Sequence, residues 1–161
     1  MATNDPRHFL AYWLPSTLKR NLDGGLTRMN HSASDQFEKL RAGGRDTVWL
    51  VTVSKGKLIL IGRIEVGKIL NQKAAERELK KEQDGVWEAT HHILPKGRSR
   101  KVVQVEITAI AKDLRFQSDS GKDRLTVWGR QVNPDQLQKM RRLAPESALL
   151  LKAVIVGAGG D

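Results

Sequence analysis

The chain predicts an α+β fold, strands with short flanking helices. Three observations predict it. Thr47-Val48-Trp49-Leu50-Val51-Thr52-Val53 is rich in β-branched and aromatic residues, and Lys55-Gly56 separates it from a second apolar run, Leu58 to Ile69, the pattern of a β-hairpin. Val103, Val105, Ile107 and Ala109 alternate with Gln104, Glu106 and Thr108, as in a half-buried strand. Asn133-Pro134-Asp135-Gln136 combines a capping residue, a proline at the first helical position and a glutamine at the third, a helix start.

The remaining elements follow in order. His8 to Leu14 reads as an opening strand closed by Pro15. Ser16 to His31 is polar, contains Gly24-Gly25 and has no apolar period, so it reads as a long loop; loops beyond about 12–15 residues are usually functional or disordered. Ala33, Phe37 and Leu40 share one face of a short helix over Ala33–Ala42, capped by Ser32 or Ser34 and ended by Gly43-Gly44. In the returning strand, Leu58-Ile59-Leu60-Ile61 is apolar on both faces and belongs at the sheet centre, while Gly62 and Gly67 mark bends or bulges. Residues 71–85 form a charged insertion, an exposed helix or a mobile segment anchored by Ala74, Ala75 and Leu79. Val86 to Leu94 reads as a strand, Pro95 to Lys101 as a basic loop, Val102 to Ile110 as a strand, and Leu114-Arg115-Phe116 as a further short strand. Leu137 and Met140 give the next helix its apolar side, Ala144-Pro145 breaks it, and Glu146 to Val156 forms a last helix burying Leu149, Leu150, Ala153 and Val154. Residues 157–161 read as a flexible tail. The whole is expected to be one domain, residues 1–161.

With 161 residues the chain can bury a core without crosslinks, and it has no cysteine for a disulfide or a cysteine-based zinc site. Its start lacks a signal-peptide pattern and no apolar run approaches the roughly 18 residues of a membrane span, so the expected location is cytoplasmic, with no membrane partner. Lys and Arg number 28 against 18 Asp and Glu, a net charge of +10, which favours a polyanionic partner, DNA or RNA. The sequence contains no G-x-S-x-G, P-loop or H-E-x-x-H pattern and no cysteine nucleophile, so catalytic residues and cofactors are not expected. His91 and His92, adjacent on a strand, would point to opposite faces, and no metal site is expected from them.

Three stretches carry a resemblance: Ala11-Tyr12-Trp13-Leu14, Met29-Asn30-His31-Ser32-Ala33 leading to Phe37 and Leu40, and Arg45-Asp46-Thr47-Val48-Trp49 through Ile61-Gly62-Arg63-Ile64-Glu65-Val66. They resemble the opening strand, short-helix segment and hairpin of EVE domains, within the PUA-like superfamily that includes ASCH, YTH and SRA domains. The stretch after Pro15 departs from the Lys-Ser-Glu-Pro usual there. Residues 137–143 with 147–150 resemble EVE-like modules appended to endonucleases. The resemblance implies a PUA-like barrel with an end pocket that reads a modified or flipped base in DNA or RNA, as the reader of a modification-dependent defence system with a nuclease or other effector as partner. The alternative is an ASCH-like RNA- or nucleotide-processing enzyme, or a protein-interaction domain.

A base pocket needs a stacking face and hydrogen-bonding groups, and a rim of cations for phosphates. Of the four tryptophans, Trp13 flanks the long loop and either lines a pocket or belongs to the core, Trp49 sits among apolar neighbours and fits the core better, Trp87 follows a turn, and Trp128 lies beside Arg130. Asn30, His31 and Ser32 precede a helix, where they either cap it or meet a base or phosphate. Lys19, Arg20, Arg28, Lys96, Arg98, Arg100, Lys101 and Arg130 are the candidate phosphate contacts, the Lys96–Lys101 group being otherwise a solvated connection.

Overall fold

The computed structural model describes residues 5–79, 88–118 and 121–160. Strand β1 (Arg7–Tyr12) leads into helix α1 (Pro15–Asp23). Short strands β2 (Arg28–Met29) and β3 (Ser32–Ala33) and a 3-10 turn over Asp35–Lys39 precede the long hairpin of β4 (Asp46–Ser54) and β5 (Lys57–Leu70). Helix α2 (Gln72–Leu79), strands β6 (His92–Pro95), β7 (Arg100–Lys101) and β8 (Val105–Glu106), helix α3 (Thr108–Ala111) and strand β9 (Phe116–Gln117) follow. A small hairpin, β10 (Val127–Trp128) and β11 (Gln131–Val132), a 3-10 turn over Pro134–Leu137, strand β12 (Arg141–Leu143) and helix α4 (Pro145–Gly157) complete the described order.

The main sheet runs β3-β6-β5-β4-β1-β12-β9, with β8 beside β5. It is antiparallel except for β1 against β4. The fold is therefore α+β with short helices, but the sheet is not closed into the expected barrel. Its path ends at β3 and β9, two residues each, and strands so short offer little ladder with which to close a ring.

Alternation along the strands sends side chains to two faces. Leu10, Trp49, Val51, Leu58 and Leu60 pack with Leu151 and Ile155 of α4 on one. Phe9, Ala11, Val48, Leu50, Ile64 and Val66 pack with Leu18 of α1, Met29 and Phe37 on the other. Leu60 and Ile64 would share a face in a regular strand. They do not, because β5 shifts register against β4: Leu50 pairs with Gly62 and Val51 with Leu60, leaving Ile61 as an extra residue that flips the phase. Gly62 also permits a close approach, since a methyl there would lie 2.6 Å from the Met29 side chain. The second register shift falls at Gly67. Both glycines thus mark bulges, as their positions in an apolar strand suggest. Lys55-Gly56 closes the β4–β5 hairpin with φ of 52° and 78°, the mirror-image turn that matches strand twist.

Several elements differ from the sequence expectation. The Ser16–His31 loop contains α1. Pro15 starts it, Lys19 pairs with Asp23 one turn later at 2.8 Å, and Gly25 at φ 92° ends it, with Leu26 N–H bonded to the Asn21 carbonyl and Gly25 N–H to that of Leu22. Its inner side rests on Leu18 and Leu22, too few for a periodic signal. The Ala33–Ala42 helix is a single 3-10 turn capped by Ser34, whose Oγ accepts from Gln36 N–H at 3.0 Å; Ser32 instead joins the sheet. Of the expected Val86–Leu94 strand, His92 onward is strand and residues 88–91 are not, while residues 80–87 lie outside the described residues. The Val102–Ile110 strand shrinks to β8 because Gln104 adopts φ 53°; Val103 and Ile107 N–H groups still bond β5 carbonyls on either side of that kink. The helix expected after Asn133 is capped there as expected, yet gives way to β12, which pairs with β1. Residues 72–79 of the charged insertion form a helix anchored by Ala75 and Leu79.

Helix α4 buries Ser147, Ala148, Leu151 and Ile155 and exposes Leu149 and Ala153. It is apolar all round, so no periodicity selects its inner face. Buried Ser147 does: its Oγ accepts the Arg115 N–H at 2.7 Å. The expected tail begins inside α4, whose last residue is Gly157. Gly160 is buried and donates to the Ile155 carbonyl at 2.9 Å. No helix among the described residues is long and apolar enough to cross a membrane.

Candidate functional site

Trp13 continues β1 by one rung, its N–H bonded to the Val51 carbonyl at 2.8 Å. That rung fixes the direction of its indole, which reaches β3 and donates from Nε1 to Ser32 Oγ at 3.1 Å. Beside this contact lies a cavity of about 80 Å³, walled by Tyr12, Trp13, Ser32, Ser34, Gln36, Phe37, Gln138 and Met140 among others. Its apolar wall is aromatic and its polar wall is hydroxyl and amide, the mixture that small-molecule sites use for stacking and orientation. Gln36 ties the walls together: Nε2 donates to the Gln138 carbonyl at 2.8 Å and Oε1 accepts the Met140 N–H. Ser32 Oγ accepts from Trp13, so its own proton remains available to donate.

His31 and Asn30 do not line the cavity. They form the link between β2 and β3, directly behind its wall. His31 is buried and stacks on His92 of β6 with ring centroids 5.1 Å apart and planes within 9°. Its Nε2 lies 2.8 Å from His92 Nδ1. His92 Nε2 faces two oxygens, Gln72 Oε1 at 2.6 Å and the Ala89 carbonyl at 3.2 Å. Oxygens accept, so His92 carries its proton on Nε2 and accepts at Nδ1, and His31 donates from Nε2. Burial, reinforced by the neighbouring His92, pushes His31 down to about 4; burial also lowers His92. Both rings are neutral at neutral pH. His91 points elsewhere, to Thr90 Oγ1, and His92 spends its nitrogens on this chain. Among the described residues no group of three or more His, Cys, Asp or Glu is placed to hold a metal.

The cations converge in part. β2 pairs with β7, setting Arg28 opposite Lys101 and Met29 opposite Arg100. Arg28 is held by Ser99, from Nε to Oγ at 3.1 Å and from a terminal nitrogen to the carbonyl. Arg100 pairs with Glu65 at 2.8 Å. Lys96, Arg98 and Lys101 are exposed, and the Lys96 stem crosses the turn at Gly44. Lys19 and Arg20 lie on exposed positions of α1, Lys19 engaged with Asp23.

Two tryptophans part from the pocket. Trp49 is core, 1% exposed, its Nε1 donating to His8 Nδ1 at 3.2 Å and its ring 5.3 Å from the buried Arg63 guanidinium. That environment lowers His8, through burial first and the charge of Arg63 second. Trp128 and Arg130 sit on the β10–β11 hairpin, Trp128 75% exposed. Trp87 lies outside the described residues. The segment after Trp13, expected to be a long loop, begins as α1.

Sequence reasoning passed over Asp46 as a structural centre. It is fully buried at the start of β4, bonded by Arg7 Nε at 3.0 Å, by a terminal Arg7 nitrogen at 2.6 Å and by Arg41 N–H at 2.7 Å. Burial raises its carboxyl, but the bonds from Arg7 and Arg41 outweigh burial and hold it below the usual range. Its partners lie 39 and 5 residues away, so only Asp46 itself, an acid opening an apolar strand, was visible. Comparison with family models, curated proteins and solved structures finds no match.

Proposed function

We propose that this chain is a nucleic-acid-binding module of PUA-like type, in which the Trp13–Ser32 pocket receives one base and the β2–β7 cations hold the neighbouring phosphates. One observation carries the reading: Ser32 lies four positions after Arg28, so at most about 14 Å of chain joins the cation pair to the pocket wall. A single short strand of DNA or RNA reaches both. Trp13 supplies a stacking face, and the Ser32 hydroxyl supplies a donor to a base edge. The small cavity favours a ring edge with its substituent, which suits a modified or flipped base. Arg28, Arg98 and Lys101 supply charge without sequence preference. The net charge of +10 supports the same partner.

The test is a salt titration of fluorescein-labelled single-stranded DNA and RNA by anisotropy. Affinity is expected to fall steeply with salt, and Arg28→Ala or Lys101→Ala to reduce the salt slope by about one each. Affinity that stays flat from low to moderate salt overturns the reading.

A further inference from the structure

We propose that Trp128, with Lys55 and Arg130, forms a second contact for single-stranded nucleic acid: an open stacking platform, separate from the Trp13 pocket. The inference rests on the nucleic-acid reading and extends it to a longer strand.

The hairpin sorts its side chains in pairs. Val127 faces Val132, and both turn inward; Trp128 faces Gln131, and both turn outward. The β10–β11 turn is Gly129-Arg130, with Gly129 at φ 61°, so Arg130 projects from the tip beside the indole. The hairpin is held from three sides. Val132 N–H bonds the Gly56 carbonyl at 2.7 Å. Gln136 grips Thr126 at the hairpin base, its Nε2 donating to the Thr126 carbonyl at 2.9 Å and its Oε1 accepting the Thr126 N–H. Val132 is buried in the core. A large aromatic is thus presented to solvent on a fixed mount, so little ordering is left to oppose a ligand stacking on it.

Charge says what the ligand is. Gln131 packs on Gly56, since a methyl at Gly56 would lie 2.8 Å from its Cγ. That contact sets the β4–β5 turn, with exposed Lys55 as its first residue, against the β10–β11 hairpin that carries Trp128. Lys57 is occupied by Glu106 at 3.5 Å; among the described residues Lys55 and Arg130 have no such ion pair. Lys55 also takes φ 52°, at the turn position where asparagine or glycine is preferred. A lysine there is a poor choice for the turn and a good one for a phosphate. An exposed aromatic face with cations on the same two turns suits an unpaired base whose identity is not read.

The test uses the full chain with a labelled twelve-nucleotide single-stranded oligothymidine and a duplex of equal length. Trp128→Ala is expected to weaken single-strand binding about tenfold with an unchanged melting temperature, and Trp128→Phe to keep part of it. Lys55→Asn is expected to weaken binding several-fold while raising the melting temperature, an opposition that a purely structural role does not produce. If Trp13→Ala weakens binding and Trp128→Ala does not, the second contact is wrong and the pocket stands. Equal dependence on Trp128 for the duplex, or Trp128 burial by anionic vesicles with no effect on oligonucleotide binding, also overturns the inference. A wild-type chain that binds no oligonucleotide overturns the reading beneath it.

Discussion

The two faces of the sheet bury apolar side chains from the same strands, but they treat polar groups differently. The α4 face packs Leu10, Val51, Leu58, Leu60, Leu151 and Ile155 around Trp49, and its tryptophan serves as filling. The α1 face holds Trp13 by one hydrogen bond at the rim of a cavity and backs that rim with the His31–His92–Gln72 chain. The first arrangement obtains stability from area; the second spends buried polar groups on fixing directions. The contrast teaches that the same residue type, three rungs apart on two neighbouring strands, is core or site according to what surrounds its ring, since each indole nitrogen makes one hydrogen bond. It predicts that damage to the first face unfolds the chain, whereas damage to the second changes pH dependence and binding.

The largest expected loss is on the apolar face: Trp49→Ala should cost about 3–5 kcal/mol of unfolding free energy in a urea titration, through cavity formation. Asp46→Asn comes next, at about 1–3 kcal/mol, because it strips a carboxylate from two guanidiniums that keep partial access to water. Its pH signature is separate. A carboxyl held low contributes stability that is present above its unfolded value near 4 and is lost as pH falls through the lower folded value. A thermal scan showing no such acid-side loss relative to Asp46→Asn would contradict the role assigned to it.

The histidine pair titrates higher on the scale. Both rings are held neutral: protonating His92 at Nδ1 would set a second donor against His31 Nε2–H, and protonating His31 would place a charge in a buried site. Stability is full above pH 6.5 and falls as pH drops toward the His31 value of about 4. Glu76 opposes this for His92, and His91 adds to it. His31→Gln keeps a donor toward His92 and should flatten the decline between those limits, measured as melting temperature against pH. The smallest effect belongs to the cations: Arg98→Ala should leave unfolding within about ±0.5 kcal/mol while weakening oligonucleotide binding.

The hairpin of β4 and β5 was legible because apolar run, turn and returning run lie together in the sequence, and both bulges announced themselves as glycines inside that run. Helix α1 was not, since two leucines one turn apart cannot establish a period, although Pro15 and Gly24-Gly25 bracketed it. Strand β12 follows a sound helix start, and only pairing with β1 explains its extension. For the site, Trp13 and Ser32 were both visible as candidates, whereas their hydrogen bond across 19 residues was not. His92 entered only as the neighbour of His91; its partner His31 lies 61 residues away, a spacing no local pattern reveals. The β10–β11 hairpin could have been found: glycine as first turn residue between Val127-Trp128 and Gln131-Val132 is a recognised signal.

Stacking of a base on Trp13, as proposed, is tested most directly by an abasic substitution. A single-stranded pentanucleotide, too short to reach far beyond one pocket, is compared with the same strand lacking its central base, against wild type and Trp13→Ala. The account predicts that wild type loses about tenfold in affinity without the base, that Trp13→Ala binds both strands equally weakly, and that the salt slope is the same in all four pairings. Equal wild-type affinity for the intact and abasic strands would contradict it.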